Sequence, residues 1–321
     1  MSVSPRFEFP SRKRNVYERA IKLEWITIAY LITAIIAIYL TLGSSQAMKT
    51  AWFEDMLSLI PPLAFLVANR IRSRIPDSNH PYGWHRSISI GYLVAALALA
   101  GMGSFLLFDA VMKLATFEHP SIGTVSLFGH QIWLGWLMIP AAAYSGLPAM
   151  LIGRMKLPLA NELHDKVLFA DAKMNKADWL TAVAAILGVL GIAWGLWWAD
   201  AVAASVISLD IIRDGVTNLR ASVSDLMDSA PTVVDGSSVD PLPARMETEM
   251  KKLSWVRDAR VRMREDGHVY FGEIFVIPTS DEKLTENIDD AAAHLASLDW
   301  RLNDVTIMPV TQFEEHPGEN V

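Results

Sequence analysis

Asp171, Met174, Asn175 and Asp178 fall at i, i+3, i+4 and i+7, in a stretch that runs on into the charge-free apolar segment Trp179–Gly195. If that stretch is one helix, the four side chains share a face. Carboxylates on a bilayer helix are costly to bury, so such a pair faces a cavity, a partner or a transported ion. The bland alternative is a pair of structural ion pairs with Lys173 and Lys176, since buried charge is tolerated when partnered. Asn175 could add an amide oxygen, which suits a hard ion, whereas Met174 alone reads as a core residue. Glu54-Asp55 precede another apolar run and could serve either an ion site or a helix start favoured by the macrodipole. Asp77, His80 and His85 could form a second site in a loop, although Pro76-Asp77 and His80-Pro81 read equally well as a turn.

The elements that must position these groups are membrane helices. The chain has 321 residues, 52% of them hydrophobic, with 11 tryptophans, and its mean hydropathy is +0.26. A spanning helix needs about 20 largely apolar residues. Six candidates are present, roughly Trp25–Gly43, Met56–Ala68, Ile88–Leu114, Ile132–Ile152, Val167–Ala193 and Trp197–Ile212. The second reaches spanning length only if Glu54 and Asp55 are taken into the membrane. Residues 1–22 are basic and polar, without the apolar core of a signal peptide. Arg70, Arg72, Arg74 and Arg86 lie between spans two and three, Arg154, Lys156 and Lys166 between four and five, and Arg213 and Arg220 after six. By the positive-inside rule both termini are therefore cytoplasmic. Asp109, in the third span, could take protons, pair with a neighbouring lysine or face solvent; its place near the end of the run favours solvent. Trp194, Trp197 and Trp198 read as interface anchors. With no cysteine, a metal would rest on carboxylate, imidazole, amide, hydroxyl, thioether or backbone ligands, which leans toward harder ions.

From about Ser222 the chain turns polar. Residues 222–243 read as a linker rich in turn formers, among them Pro231, Asp235-Gly236, Pro241 and Pro243. A helix Arg245–Leu253, a strand Ala259–Arg264, a turn at Asp266-Gly267, a strand His268–Ile277, an amphipathic helix Asp281–Leu298 with Asp281 as N-cap, and a strand Val305–Val310 follow. This order predicts a small α+β domain over residues 244–312, with a disordered tail at 313–321. The net charge of −7 comes largely from this region and argues against a nucleic-acid partner.

Several strings, taken in order, resemble the cation diffusion facilitator family of metal/proton antiporters. They are His80-Pro81-Tyr82-Gly83 after span two, Ala170-Asp171-Ala172 with Asp178 in span five, and Trp198-Ala199-Asp200 opening span six. Ser222–Asp228 closing the membrane part and Val256–Arg262 in the terminal domain complete the set. The resemblance implies a six-helix transmembrane bundle at 23–221, a ferredoxin-like cytosolic domain, a homodimer in the plasma (inner) membrane, and divalent metal efflux driven by protons. It also implies a site shared by spans two and five. There the usual fifth-span histidine is replaced by Met174, while the aspartate is kept as Asp178. In span two, one register gives Asp55 with Ala51 and the other gives Glu54 with Ser58, so one usual ligand is missing either way. The histidine positions of the cytosolic domain map onto Arg257, Phe275 and Met308, which implies a domain that keeps its dimer contact without a metal.

The reading that follows is a non-enzymatic secondary transporter in the lipid bilayer, exporting a divalent cation in exchange for protons. Asp178, Asp171 and Glu54 or Asp55 would be its principal ligands, and no resident cofactor is implied. The rival reading is a non-transporting membrane protein of the same fold that acts as an interaction module, with Lys173 or Lys176 neutralising the aspartates.

Overall fold

The computed structural model describes residues 10–313 apart from 73, 75, 76, 83, 85, 120, 128 and 268. It divides into two compact units, one of residues 13–73 and 87–223, the other containing 74–86 and 224–321.

The first unit is helical: α1 (Ser11–Thr41), α2 (Gln46–Leu57), α3 (Ile60–Arg72), α4 (Ser87–Ala115), α5 (Gly135–Leu163), α6 (Lys166–Ala193) and α7 (Ala199–Leu226). Among the described residues, five stretches are long and apolar enough to cross a bilayer: Lys13–Thr41, Gln46–Val67, Ser89–Ala115, Gly135–Leu163 and Lys166–Ala193. The expected sixth span exists as the helix α7, but Asp200, Asp210, Arg213, Asp214 and Arg220 along it keep it out of that set. Since α7 runs to Leu226, the expected boundary at 221 falls inside a helix; likewise α1 begins at Ser11, within the expected 1–22 segment.

Span two is broken, and its sequence says where. Pro61 and Pro62 have no N–H to offer the carbonyls of Leu57 and Ser58. Helix α2 therefore ends at Leu57, with Ser58 N–H closing on Glu54 O, and α3 restarts at Ile60 with both prolines in its first turn, where they are tolerated. Glu54 and Asp55 are thereby drawn into the last turn of α2, so the segment reaches spanning length with its carboxylates inside. A helix-start role for the pair is excluded, because α2 begins at Gln46. That start is capped by Ser45, whose hydroxyl accepts from Met48 N–H, and by Asp200 of α7, which accepts from Ser45 Oγ and the N–H groups of Gln46 and Ala47 at 2.6, 2.5 and 3.2 Å.

Span four starts later than expected. Ile132 belongs to a short hairpin, β1 (Thr124–Leu127) with β2 (His130–Trp133), and α5 begins only at Gly135. The β-branched and aromatic residues of this segment favour a strand over an extension of the helix. Helices α5 and α6 then pack as a close hairpin. A Cβ on Gly153 would lie 2.5 Å from Lys176 N and 2.6 Å from Ala172 O, and one on Gly146 would meet Ala182 Cβ at 2.5 Å. Small residues bring membrane helices into such backbone contact. Gly215 against Ala100 and Gly103 against Ile211 do the same between α7 and α4.

The second unit contains α8 (Leu242–Lys251), β3 (Val256–Asp266), β4 (Val269–Pro278), α9 (Leu284–Ala296) and β5 (Leu302–Pro309), the expected order. Strands β3 and β4 are antiparallel and β4 and β5 parallel. Met246, Met250, Ala259, Tyr270, Ile274, Val276, Ala291 and Leu295 form its core. Asp281 is not the cap of α9. The helix starts after Lys283, which is left-handed at φ 54°, where the apolar stripe Leu284, Ile288, Ala291, Leu295 begins. The hairpin turn holds Gly267 at φ 68°; the expected first residue of the following strand, His268, and the expected tail from 314 lie outside the described residues. The expected linker is itself folded in part: Thr232 bridges Val239, and Asp240 accepts from Leu242 N–H at 2.8 Å to cap α8.

Candidate metal centre between spans two and five

The predicted face of span five is real. Asp171, Asn175 and Asp178 are buried along α6, and Thr181 continues the row. Across from it stands the last turn of α2. Thr181 Oγ1 donates to Glu54 Oε1 at 3.0 Å, while Glu54 Oε2 and Asp178 Oδ2 are buried and have no hydrogen-bond partner. Glu54 lies within electrostatic reach of both Asp178 and Asp55, and Asp178 within reach of Asp55 and Asp171. Acceptor-only groups crowded together out of water repel one another, and a cation or a proton relieves them. Among the described residues, no three His, Asp or Glu side chains converge tightly enough to hold an ion as they stand. The described arrangement offers acceptors without a closed cage.

Asp55 is differently placed. Both of its oxygens accept from Ser145 Oγ of α5, at 2.8 and 2.7 Å. Ser145 sits beside a defect in its own helix, because Pro148 lacks the N–H that would satisfy Tyr144 O. Tyr30 of α1 supplies a replacement donor at 2.7 Å and also contacts Ser145 O. Buried backbone acceptors in a membrane must find such internal donors. Tyr30, Ser145 and Asp55 thus tie α1, α5 and α2 together next to the Glu54–Asp178 pair.

Asp171 is paired, but not with Lys173 or Lys176, both of which are exposed on α6. Its partner is Lys156 of α5, which also donates to Glu24 Oε2 of α1 at 2.8 Å. Asn175 Nδ2 donates to the other Asp171 oxygen at 3.1 Å, leaving Asn175 Oδ1 without a partner. Lys156 is fully buried within α5, so its reading as a loop charge is corrected.

Met174 is half-buried and packs against the apolar cluster of Met48, Ala51, Met138 and Val189. Ser58 is buried as the C-cap of α2, with its N–H on Glu54 O. In the loop, Asp77 Oδ1 accepts from the N–H groups of Asn79 and His80 at 2.9 and 2.7 Å and from His80 Nδ1 at 3.2 Å. These bonds hold its carboxyl below the usual range. His80 stacks on Trp84 at 3.6 Å, and His85 lies outside the described residues. Asp109 pairs with Lys49 of α2 at 3.6 Å and Lys113 at 3.4 Å, with its side chain still 29% exposed. In the terminal domain, Arg257 is exposed at a register break in β3, and Phe275 and Met308 are neighbours across β4 and β5.

Sequence reasoning missed Glu24, Lys156, Ser145, Thr181 and Tyr30. Two of them carried a signal. Glu24 falls on the stripe Ala20, Glu24, Leu31, Ala34, Ile38, and Lys156 on the stripe Ala142, Ala149, Gly153, Lys156, Ala160, Leu163. Both are spaced as buried helix faces are.

Comparison with known proteins agrees with this architecture. Residues 24–227 match the Cation efflux transmembrane domain. The chain is 25% identical over 267 residues to the manganese efflux system protein MneS of Bacillus subtilis, covering 82% of this chain and 84% of that one. It is 26% identical over 258 residues to the zinc transporter ZitB of Escherichia coli, covering 80% and 76%. Over 164 residues it is 28% identical to the magnetosome protein MamB of Paramagnetospirillum magneticum, half of each chain. A membrane-helix bundle with buried acidic groups at a broken second span, matched over most of its length by the family domain, is a member of the cation diffusion facilitator, or cation efflux, family.

Proposed function

We propose that this protein exports a divalent metal cation from the cytoplasm, in exchange for protons, through a site centred on Glu54 and Asp178. The observation that carries the reading is the pair of buried, unpartnered carboxylate oxygens, Glu54 Oε2 and Asp178 Oδ2, at the break between α2 and α3. A discontinuous helix beside an ion-binding row is a recurring device of secondary transporters. Asp55 joins the ligand set when it leaves Ser145. Proton and metal compete for the same groups: protonating a carboxylate weakens coordination and releases the ion outward. An all-oxygen set favours a hard ion such as manganese over zinc, in keeping with relatives whose names include manganese efflux. In this reading α7 is a sixth span that lines the bundle with its polar face, both termini are cytoplasmic, and the terminal domain, ferredoxin-like in plan, pairs two chains in the plasma membrane. The work is transport, not catalysis.

The test is manganese flux into vesicles carrying the purified protein. Asp178→Asn keeps the shape and removes the charge, so flux should collapse while folding persists. Undiminished flux would refute the assignment.

A further inference from the structure

Two turns along α6 from Asp178, about 10 Å away along the helix axis, lies a second charged cluster. Lys156 Nζ sits between Glu24 Oε2, at 2.8 Å, and Asp171 Oδ2. Asn175 Nδ2 donates to the remaining Asp171 oxygen at 3.1 Å. The residues are sealed: Glu24 and Lys156 are 0% exposed, Asn175 1% and Asp171 2%. Gly153, one turn from Lys156, lets the α5 backbone press against Ala172 and Lys176 of α6, which fixes the distance across the cluster.

Two facts set this cluster apart from a structural salt bridge. It holds two carboxyl groups and one ammonium, so a proton or a second cation must balance it in a medium where uncompensated charge is costly. It also retains two buried oxygens with no donor, Glu24 Oε1 and Asn175 Oδ1, each on a side chain that already contacts the cluster through its other polar atom. A structural ion pair would be closed by its partners. This one has vacant acceptors of the kind that surround a hard cation. If the ammonium withdraws, Glu24, Asp171 and Asn175 present two negative charges and oxygen ligands only, which matches a divalent ion. Lysine suits the temporary role, since it carries a compact charge on a flexible stem.

We propose that Glu24, Asp171 and Asn175 form a second divalent-cation site, which Lys156 fills with a tethered ammonium until the ion displaces it. In the topology given above it lies on the cytoplasmic side of Asp178, so an ion would meet it first. The proposal rests on reading the chain as a divalent-cation exporter, and it assigns Asp171 to entry rather than to the central site.

Calorimetric titration of the purified full chain with Mn²⁺ tests it. The wild type should bind one ion per chain tightly. Lys156→Gln frees the cage and should bind two, and adding Asp171→Asn should return the number to one. If Lys156→Gln binds the same number of ions with the same affinity as the wild type, the proposal is overturned. If the wild type binds none while Lys156→Gln binds one, the exporter reading fails and the second site stands. Glu24→Gln covers the case in which Lys156→Gln does not fold, because it leaves one carboxyl group against one ammonium. It should melt no lower than the wild type, yet raise the half-saturating Mn²⁺ concentration for transport severalfold, by more than it lowers the maximal rate. An unchanged half-saturating concentration would likewise overturn the proposal.

Discussion

Two buried polar networks in this protein are built on opposite plans. In the terminal domain, Arg301 donates to Asp240 at 2.7 Å and to Asp299 at 2.9 and 3.0 Å, Tyr270 Oη donates to Asp240 at 3.0 Å, and the guanidinium lies over the Tyr270 ring at 4.8 Å. The groups complete one another, and Asp240 also caps α8. Around Glu54 and Asp178 the carboxylates face other carboxylates, and oxygens remain without donors. A closed network fixes a fold. An open one, held in place by the helices around it, is what the proposed cation site requires. The difference teaches that burial alone does not separate the two networks; the unfilled acceptors around Glu54 and Asp178 do.

The comparison is broken first at its strongest points. Arg301→Ala leaves Asp240 and Asp299 without their counter-ion, and should cost the terminal domain about 3–5 kcal/mol, read by urea denaturation. Glu54→Gln should do the reverse. Manganese affinity should fall by more than the roughly 100-fold that loss of a mere supporting group can cost, while the melting temperature holds or rises as charge repulsion is relieved. If both changes destabilise equally and neither affects binding, the two networks are of one kind.

Ser145→Ala is intermediate. It strands Asp55, whose two oxygens both rely on that hydroxyl, and should cost about 1–3 kcal/mol in thermal unfolding of the detergent-solubilised chain. A smaller effect comes from pH. Burial would raise Asp240, but Leu242 N–H and Arg301 hold its carboxyl below the usual range, and Arg301 does the same for Asp299 against burial. Groups depressed in the folded state stabilise above their unfolded value of about 3.9. That stability is lost as pH falls through the folded values. The denaturation midpoint of the terminal domain should therefore hold from neutrality to about pH 5 and drop below about pH 4, and the Arg301→Ala variant should show a shallower drop. Smallest of all is Met174→His. Because Met174 packs in the apolar cluster, the new imidazole should raise zinc affinity over manganese by less than about tenfold, some 1.4 kcal/mol; a larger gain would mean that the side chain turns into the site.

The sequence made much of this legible because its signals were local. The period of Asp171, Asn175 and Asp178 placed them on one face, and Pro61-Pro62 accounts for the break once the helices are seen. The α-β-β-α-β order of the terminal domain followed from alternation and turn residues. What stayed hidden depends on contacts between distant segments. Lys156, met as one cation among several after a hydrophobic run, reads as a loop charge by the positive-inside pattern, and only the packing of α1, α5 and α6 shows it enclosed by Glu24 and Asp171. Tyr30 has no local mark at all, since its role is set by Pro148, more than a hundred residues away. The β1–β2 hairpin was masked because Ile132 and Trp133 are as apolar as the helix that follows them.

The central claim is that open acceptors at Asp178 bind the exported ion. Thermal unfolding of the full chain, with and without Mn²⁺, measures this directly in the wild type and in Asp178→Asn. Saturation at 100 times Kd should stabilise the wild type by about 2.7 kcal/mol, and Asp178→Asn, folded and at least as stable without metal, should lose most of that increment. An equal manganese-dependent rise in both proteins would contradict the account.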